Sequence, residues 1–198
     1  MSDATFRENC CGLILAGGRA RRLGGVEKGL ALWQGHPLVA YAREALRPHC
    51  AVIAISANRQ LEDYRHWADV VVNDEEGFGD TGPLAGLLAG MQHARALGMS
   101  GVLVMPCDTP GVSAAVIEQL ATTAAVDAQR LVLARVERRP QPLHGYYPVA
   151  LVEDLTSYLK SGERKVMDFA GRQDTLYLDL PVSSEVFRNL NTPEDWRV

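Results

Sequence analysis

Five short apolar runs, separated by segments of helical pattern, constrain this chain more than any other feature: CGLILA (11–16), AVIAIS (51–56), VVV (70–72), GVLVMP (101–106) and RLVLARV (130–136). Uninterrupted apolarity over so few residues suits a strand covered on both faces, which is the environment of a parallel sheet. The intervening segments read as helices. One opens at Pro37, places Leu38, Tyr41, Ala42, Ala45 and Leu46 on one face and stops at Pro48. A polar, aromatic helix is expected around 60–66. A longer one begins at Pro83, lines Leu84, Leu87, Leu88 and Met91 along one side and ends at Gly98. Another runs from Ser113 to about Ala125. The remainder is less regular: PLHGYYP as a strand, VALVEDLTSYLKSG as a helix, TLYLDL (175–180) as a late strand, and NTPEDW as a short capped turn of helix. Buried parallel strands need helices on both faces, so the expected fold class is α/β, a three-layer α/β/α assembly around a mostly parallel sheet. With 198 residues, 47% hydrophobic, and no repeat or long linker, residues 1–198 form one domain.

The net charge of −4 argues against a general nucleic-acid binder, which usually presents a basic domain. No apolar stretch approaches the ~20 residues that a membrane helix needs. The polar start MSDATFRENC has neither the basic opening nor the apolar centre of a signal peptide, so a cytoplasmic location is expected. Cys10, Cys11, Cys50 and Cys107 lack disulfide or zinc spacing and read as reduced thiols. The histidines (His36, His49, His66, His93 and His144) show no metal-ligand spacing either.

In open α/β sheets, ligands gather outside the carboxyl ends of the strands. Four segments fall there: a Gly-Arg loop after the first run, Ser56-Ala57-Asn58-Arg59 after the second, Asn73-Asp74 after the third and Cys107-Asp108-Thr109 after the fourth. The Gly-Arg loop belongs to LILAGGRARRLGGVEK (13–28), which sets Gly17-Gly18 beside Arg19, Arg21 and Arg22, then Gly24-Gly25 and Lys28. It is neither of the two commonest phosphate loops. The G-x-G-x-x-G spacing of dinucleotide-binding folds is absent, and Lys28 is not part of a Gly-Lys-Ser/Thr triplet. What remains is a loop whose amides can form an anion-binding concavity, with guanidinium groups to grip phosphate oxygens and a lysine as a point charge. Three arginines packed without neighbouring acids repel one another, so an anion among them is the better reason for the cluster than a solvated turn.

LAGGRARRLGGVEKGL, followed in order by GPLAG, PCDTP, GERKVM and NTPED, closely resembles the molybdenum cofactor guanylyltransferases, members of the wider nucleotidyltransferase superfamily. The matching pieces run from about residue 12 to 195. The resemblance implies a Rossmann-like fold and transfer of GMP from Mg-GTP to the terminal phosphate of molybdopterin, with release of pyrophosphate. It implies GTP and molybdopterin as small-molecule substrates, Mg2+ as cofactor, and cofactor-delivery proteins and molybdoenzymes as partners. It divides the chain into a GTP-binding part over residues 10–110 and an acceptor-binding part over 111–198. Leu15, Ala16, Gly17 and Gly18 would hug the nucleotide, and Lys28 would bind its phosphates. Ser56 stands where the family often has Asn near the base, Asp74 would contact the nucleoside, and Asp108 would hold magnesium. Arg22 and Lys28 would stabilise the leaving pyrophosphate, and Gly82 would touch substrate. Arg164 and Lys165 would meet the acceptor's phosphate, with Asn191 reaching the site.

Several of these residues also have plainer readings: Asp108 and Asp80 as turn caps, Arg164 and Lys165 as solvated charges, Asn191 as a helix cap. His144 departs from the family, which often has a His-Pro pair where this chain has Gln141-Pro142, and beside Tyr146 and Tyr147 it reads as packing. The chemistry suits the residues present. A phosphate monoester has a second pKa near ~6, so the nucleophile is ionised without a general base. Charge neutralisation is what the reaction needs, and a metal-holding carboxylate with cations supplies it. A cytidylyltransferase, another small nucleotidyltransferase, or a non-catalytic nucleotide carrier would share much of this pattern. A carboxylate such as Asp74 can accept from guanine or from cytosine.

Overall fold

The computed structural model describes residues 2–17, 27–74, 82–191 and 195. The chain opens with α1 (Asp3–Glu8), capped by Ser2, whose hydroxyl accepts from the Thr5 N–H. β1 (Cys10–Leu15) follows, buried along its length. A short hairpin pairs β2 (Leu32–Trp33) with β3 (His36–Pro37) and leads into α2 (Leu38–Leu46). Next come β4 (Val52–Ser56), α3 (Leu61–Arg65), β5 (Val70–Val72), α4 (Pro83–Ala96), β6 (Gly101–Pro106) and α5 (Ala114–Val126). The last third holds β7 (Leu131–Val136), β8 (Arg139–Pro148), α6 (Val152–Lys160), α7 (Val166–Ala170) and β9 (Thr175–Asp179).

One seven-stranded sheet runs in the order β5-β4-β1-β6-β8-β7-β9. β1 pairs in parallel with β4 and β6, and β4 with β5, so these four strands end on the same edge. Only β8 runs against its neighbours β6 and β7. The cause is local. Glu137 and Arg138, between β7 and β8, both have positive φ (48° and 67°), the geometry of a tight hairpin turn. The chain folds straight back there, and β8 enters the sheet between β6 and β7. The register shifts at Leu133/Ala134, and a side chain on Gly145 would meet the Val132 carbonyl oxygen at 2.3 Å, so the irregularity needs glycine.

Alternation along the strands divides the core into two layers. Cys10 and Ile14 of β1, with Leu103 and Met105 of β6, pack with Phe6 of α1, Val39 and Leu46 of α2 and Leu120 of α5. Cys11, Leu13 and Leu15, with Val102 and Val104, pack with Leu84, Leu87 and Met91 of α4, Leu155 of α6 and Phe169 of α7. The period-2 pleat thus presents both faces of each inner strand to helices, which is the expected three-layer, mostly parallel fold.

The departures from expectation are small. Pro37 is not the first residue of α2 but its N-cap, because it pairs with Leu32 in the hairpin. That helix runs on into a 3-10 turn, Arg47–His49, around Pro48. PLHGYYP is the second half of the longer β8. α1, α7 and the β2–β3 hairpin had no clear sequence signal. The closing helix expected over NTPEDW, Asn191 and Asp195 apart, lies outside the described residues. Among the described residues no helix is long and apolar enough to cross a membrane.

Candidate active site

The parallel ends of β1, β4, β5 and β6 are laced together by the residues that leave them. The Ala16 N–H donates to the Ser56 carbonyl at 3.0 Å, the Ala57 N–H to Val72 at 3.0 Å, and the Cys107 N–H to Leu15 at 3.1 Å. This register sets the four loops side by side. Leu15 and Ala16 are buried, and Gly17 is exposed, with nothing near the place of a Cβ among the described residues. Gly18 and Arg22, like the rest of the arginine cluster, lie outside the described residues, as does Asp80.

Lys28 starts a 3-10 turn, Lys28–Leu30, pressed so closely on α3 that a Cβ on Gly29 would meet the Tyr64 hydroxyl at 2.6 Å. From there its ammonium donates to Asp108 Oδ2 at 2.5 Å and to Asn191 Oδ1 at 2.5 Å. Three residues far apart in sequence therefore meet at one nitrogen. The Lys28 and Asp108 side chains are only 13% and 17% exposed, so the pair is largely shielded from water. Asp108 itself sits in the turn after β6, where its carbonyl accepts from the Leu190 N–H at 2.9 Å. That bond sets Asn191 beside it, and the Asn191 N–H donates onward to Asp195 Oδ2 at 3.0 Å.

The other half of the edge is more polar than expected. Asp74 is joined to Asn58 twice: the Asn58 amide donates to Asp74 Oδ2 at 2.7 Å, and the Asp74 N–H donates to Asn58 Oδ1 at 3.1 Å. Burial raises the Asp74 carboxyl above its usual range, and the Asn58 amide partly offsets this. Ser56 is buried against α4, where a Cβ on Gly86 would meet its Oγ at 2.3 Å. Gly82, the N-cap of α4, has φ 72° and ψ −153°, a conformation open to glycine, and Pro83 follows at the first helical position. The N-terminus of this 14-residue helix opens near the same edge, beside Ser56.

Arg164 and Lys165 are not joined to this cluster among the described residues. Arg164 donates to the carbonyls of Leu159 and Glu163, closing the end of α6, and the exposed Lys165 lies 3.7 Å from Asp168. Sequence reasoning passed over Glu27, and it singled out Asn58 and Gly86 only as members of longer segments. Glu27 is buried, its carboxyl raised by that burial, with Arg59 at 3.9 Å opposing the rise. Nothing in the spacing around Gly24-Gly25 signals that Glu27 is buried.

A divalent cation fits Asp108. Its Oδ1 is buried with no hydrogen-bond partner among the described residues, while Oδ2 faces the ammonium. A lone unsatisfied carboxylate oxygen suits a hard cation that completes its shell with phosphate oxygens and water rather than an all-protein cage. No group of three or more His, Cys, Asp or Glu forms such a cage among the described residues.

The chain has relatives among known proteins. The model of the MobA-like NTP transferase domain matches residues 12–176. A molybdenum cofactor guanylyltransferase of Ectopseudomonas mendocina (strain ymp) is 40% identical over 93% of this chain and 89% of its own. Another, of Cereibacter sphaeroides, is 38% identical over 93% of this chain and 92% of its own. The molybdopterin-guanine dinucleotide biosynthesis protein A of Archaeoglobus fulgidus shares the fold, with a TM-score of 0.76 over 94% of this chain and 95% of that one at 22% identity. On the match over most of its length and the relatives' identity, the chain belongs to the family of the MobA-like NTP transferase domain.

Proposed function

We propose that this protein is a molybdenum cofactor guanylyltransferase, moving GMP from GTP to the terminal phosphate of molybdopterin and releasing pyrophosphate. The observation that carries the residue assignment is the convergence of Lys28, Asp108 and Asn191 at the strand ends. In this reading the acceptor's phosphate, already ionised, attacks the α-phosphorus of GTP, and the bond to the β-phosphate's bridging oxygen breaks. No protein base is needed. Lys28 leaves its two oxygens to neutralise the phosphates and then the departing pyrophosphate, with Arg22 as second cation. Asp108 would hold Mg2+, which when bound would polarise phosphate oxygens. Leu15, Ala16 and Gly17 form the wall against which the nucleotide lies, Gly18 is assigned to the nucleotide by the family resemblance, and the start of α4 at Gly82 touches substrate. Asp74, aimed by Asn58, and Ser56 lie on the nucleoside side. Arg164 and Lys165 are the acceptor-side cations. Residues 10–110 thus carry the GTP half of the site, and residues 111–198 the acceptor half.

Incubation with molybdopterin, Mg2+ and each nucleoside triphosphate in turn tests the reading, with detection of the dinucleotide and of pyrophosphate. A product with GTP alone is expected. Preference for CTP would overturn the base assignment, and no product from any triphosphate would point to a carrier. An Asp108→Ala variant that released pyrophosphate at the normal rate would sink the mechanism.

A further inference from the structure

Behind Asp108 lies a buried polar contact that the transfer chemistry above does not use. His144, in the middle of β8, is buried, and its Nε2 lies 2.9 Å from the hydroxyl of Thr109, the residue after Asp108. Thr109 is fully buried too, and its hydroxyl donates to the Pro106 carbonyl at 3.3 Å. A hydroxyl has one proton. With that proton on Pro106, the oxygen accepts from the imidazole, which assigns the Nε2–H tautomer to His144. Nδ1 is then a bare acceptor, buried without a partner among the described residues. The other side of the ring meets Phe187 edge-on, with centroids 4.8 Å apart and planes at 85°.

Phe187 ends the 3-10 turn Ser184–Phe187, which is itself locked to the Asp108 turn. A Cβ on Gly111 would meet the Val186 carbonyl oxygen at 2.8 Å, and Leu190 donates to the Asp108 carbonyl. The imidazole therefore touches a side chain from each of the two segments, Thr109 from the one carrying Asp108 and Phe187 from the one leading to Asn191. An aromatic hydrocarbon ring would fill the same space without stranding a nitrogen, so packing alone does not account for histidine here.

We infer that His144 is a positioning residue for nucleotidyl transfer: through Thr109 and Phe187 it fixes the relative aim of Asp108 and Asn191. The inference rests on the role proposed for Asp108. Four variants test it: His144→Phe, Thr109→Val, the double variant, and Thr109→Ser, which keeps the hydroxyl. His144→Phe and Thr109→Val each lower kcat by about 10- to 100-fold and weaken Mn2+ binding by the GTP-bound protein about 10-fold. The KM for GTP stays level, because the nucleotide wall is untouched. The double variant is no worse than either single one, and Thr109→Ser keeps most of kcat. Mn2+ affinity is read by electron paramagnetic resonance without turnover, and nitrogen-15 NMR reads the Nε2–H tautomer in the unaltered protein.

A folded His144→Phe protein with normal kcat and Mn2+ affinity overturns the inference, as do additive effects or an Nδ1–H tautomer. If His144→Phe does not fold, the contrast between Thr109→Val and Thr109→Ser decides in its place. Failure of the unaltered protein to transfer from any triphosphate removes the proposed activity and the inference together. An active protein with unaffected variants removes the inference alone.

Discussion

Gly86→Ala puts the contact between α4 and the end of β4 to a quantitative test. The added methyl would lie 2.3 Å from Ser56 Oγ, 3.1 Å from Ser56 Cβ and 3.3 Å from Leu15 Cδ2. Rotation of the hydroxyl relieves only the first overlap. The other two require the helix and the strand end to part by a few tenths of an ångström. Overpacking of this kind costs about 1–3 kcal/mol, against which alanine in place of a helical glycine returns about 0.5–1 kcal/mol. The net loss is about 1–2 kcal/mol, or roughly 2–8 °C in Tm for a chain of this size. In a Ser56→Ala background the β-carbon at 3.1 Å and Leu15 Cδ2 at 3.3 Å remain, so only the part of the loss that comes from turning the hydroxyl away disappears, and the double-mutant cycle shows a coupling of about 0.5 kcal/mol. Because Leu15 and Ser56 are both proposed nucleotide neighbours, the KM for GTP rises in Gly86→Ala and recovers in part in the double variant. Urea unfolding and steady-state kinetics on the four proteins supply the numbers. Equal destabilisation by Gly86→Ala in both backgrounds would show that Ser56 is not what the methyl strikes, and the reasoning would fail.

Other outcomes follow from the same site. Lys28→Met strands a carboxylate that is only 17% exposed, so stability falls by about 2–4 kcal/mol and pyrophosphate release by 10²–10³ in order of magnitude; adding Asp108→Asn restores the urea midpoint but not the rate. Chelation of divalent cations abolishes transfer and Mg2+ restores it; full activity after exhaustive chelation would exclude Asp108 as a metal holder. Burial pulls the His144 imidazole down to about 3 from 6.5, so below pH 6.5 the unfolded chain takes up a proton that the native one refuses. Stability then falls with acidification by up to about 1.4 kcal/mol per pH unit between those two values, and His144→Phe removes that part of the slope. Equal slopes in both proteins, measured by urea unfolding from pH 7 to pH 4, would contradict the buried neutral ring.

The sequence exposed most of the architecture because its signals are local. CGLILA, AVIAIS and GVLVMP could not be helices covered on one face, and both of their faces are covered in the sheet. The same rule placed Asp108 and Asp74 at one edge, since a residue just after a parallel strand has no other place to be. What escaped prediction depends on contacts across the sheet. RLVLARV and PLHGYYP were both recognisable, yet β8's reversal hangs on two positive φ angles at Glu137 and Arg138, residues with no turn signature. Lys28 meets Asp108 and Asn191 through the closed fold and not through any spacing. His144 read as a packing residue because composition cannot show which buried atom an imidazole will face.

Lys28, Asp108 and Asn191 also share a property that none has alone. The ammonium and the carboxylate cancel, so before substrate arrives the strand ends carry no net charge at that point, and a largely buried pair tolerates this better than either ion would singly. A triphosphate changes the balance. Its oxygens compete with Asp108 for the lysine, and each step that draws the ammonium away exposes Oδ2 beside the already unpartnered Oδ1. Under the proposed function, phosphate binding and cation binding are therefore coupled through one nitrogen, each favouring the other. It follows that Mn2+ binds Lys28→Met without GTP more tightly than it binds the unaltered protein without GTP, while GTP strengthens that binding less in the variant. Weaker Mn2+ binding by a folded Lys28→Met protein in the absence of nucleotide would show that the lysine supports the metal site and does not compete with it.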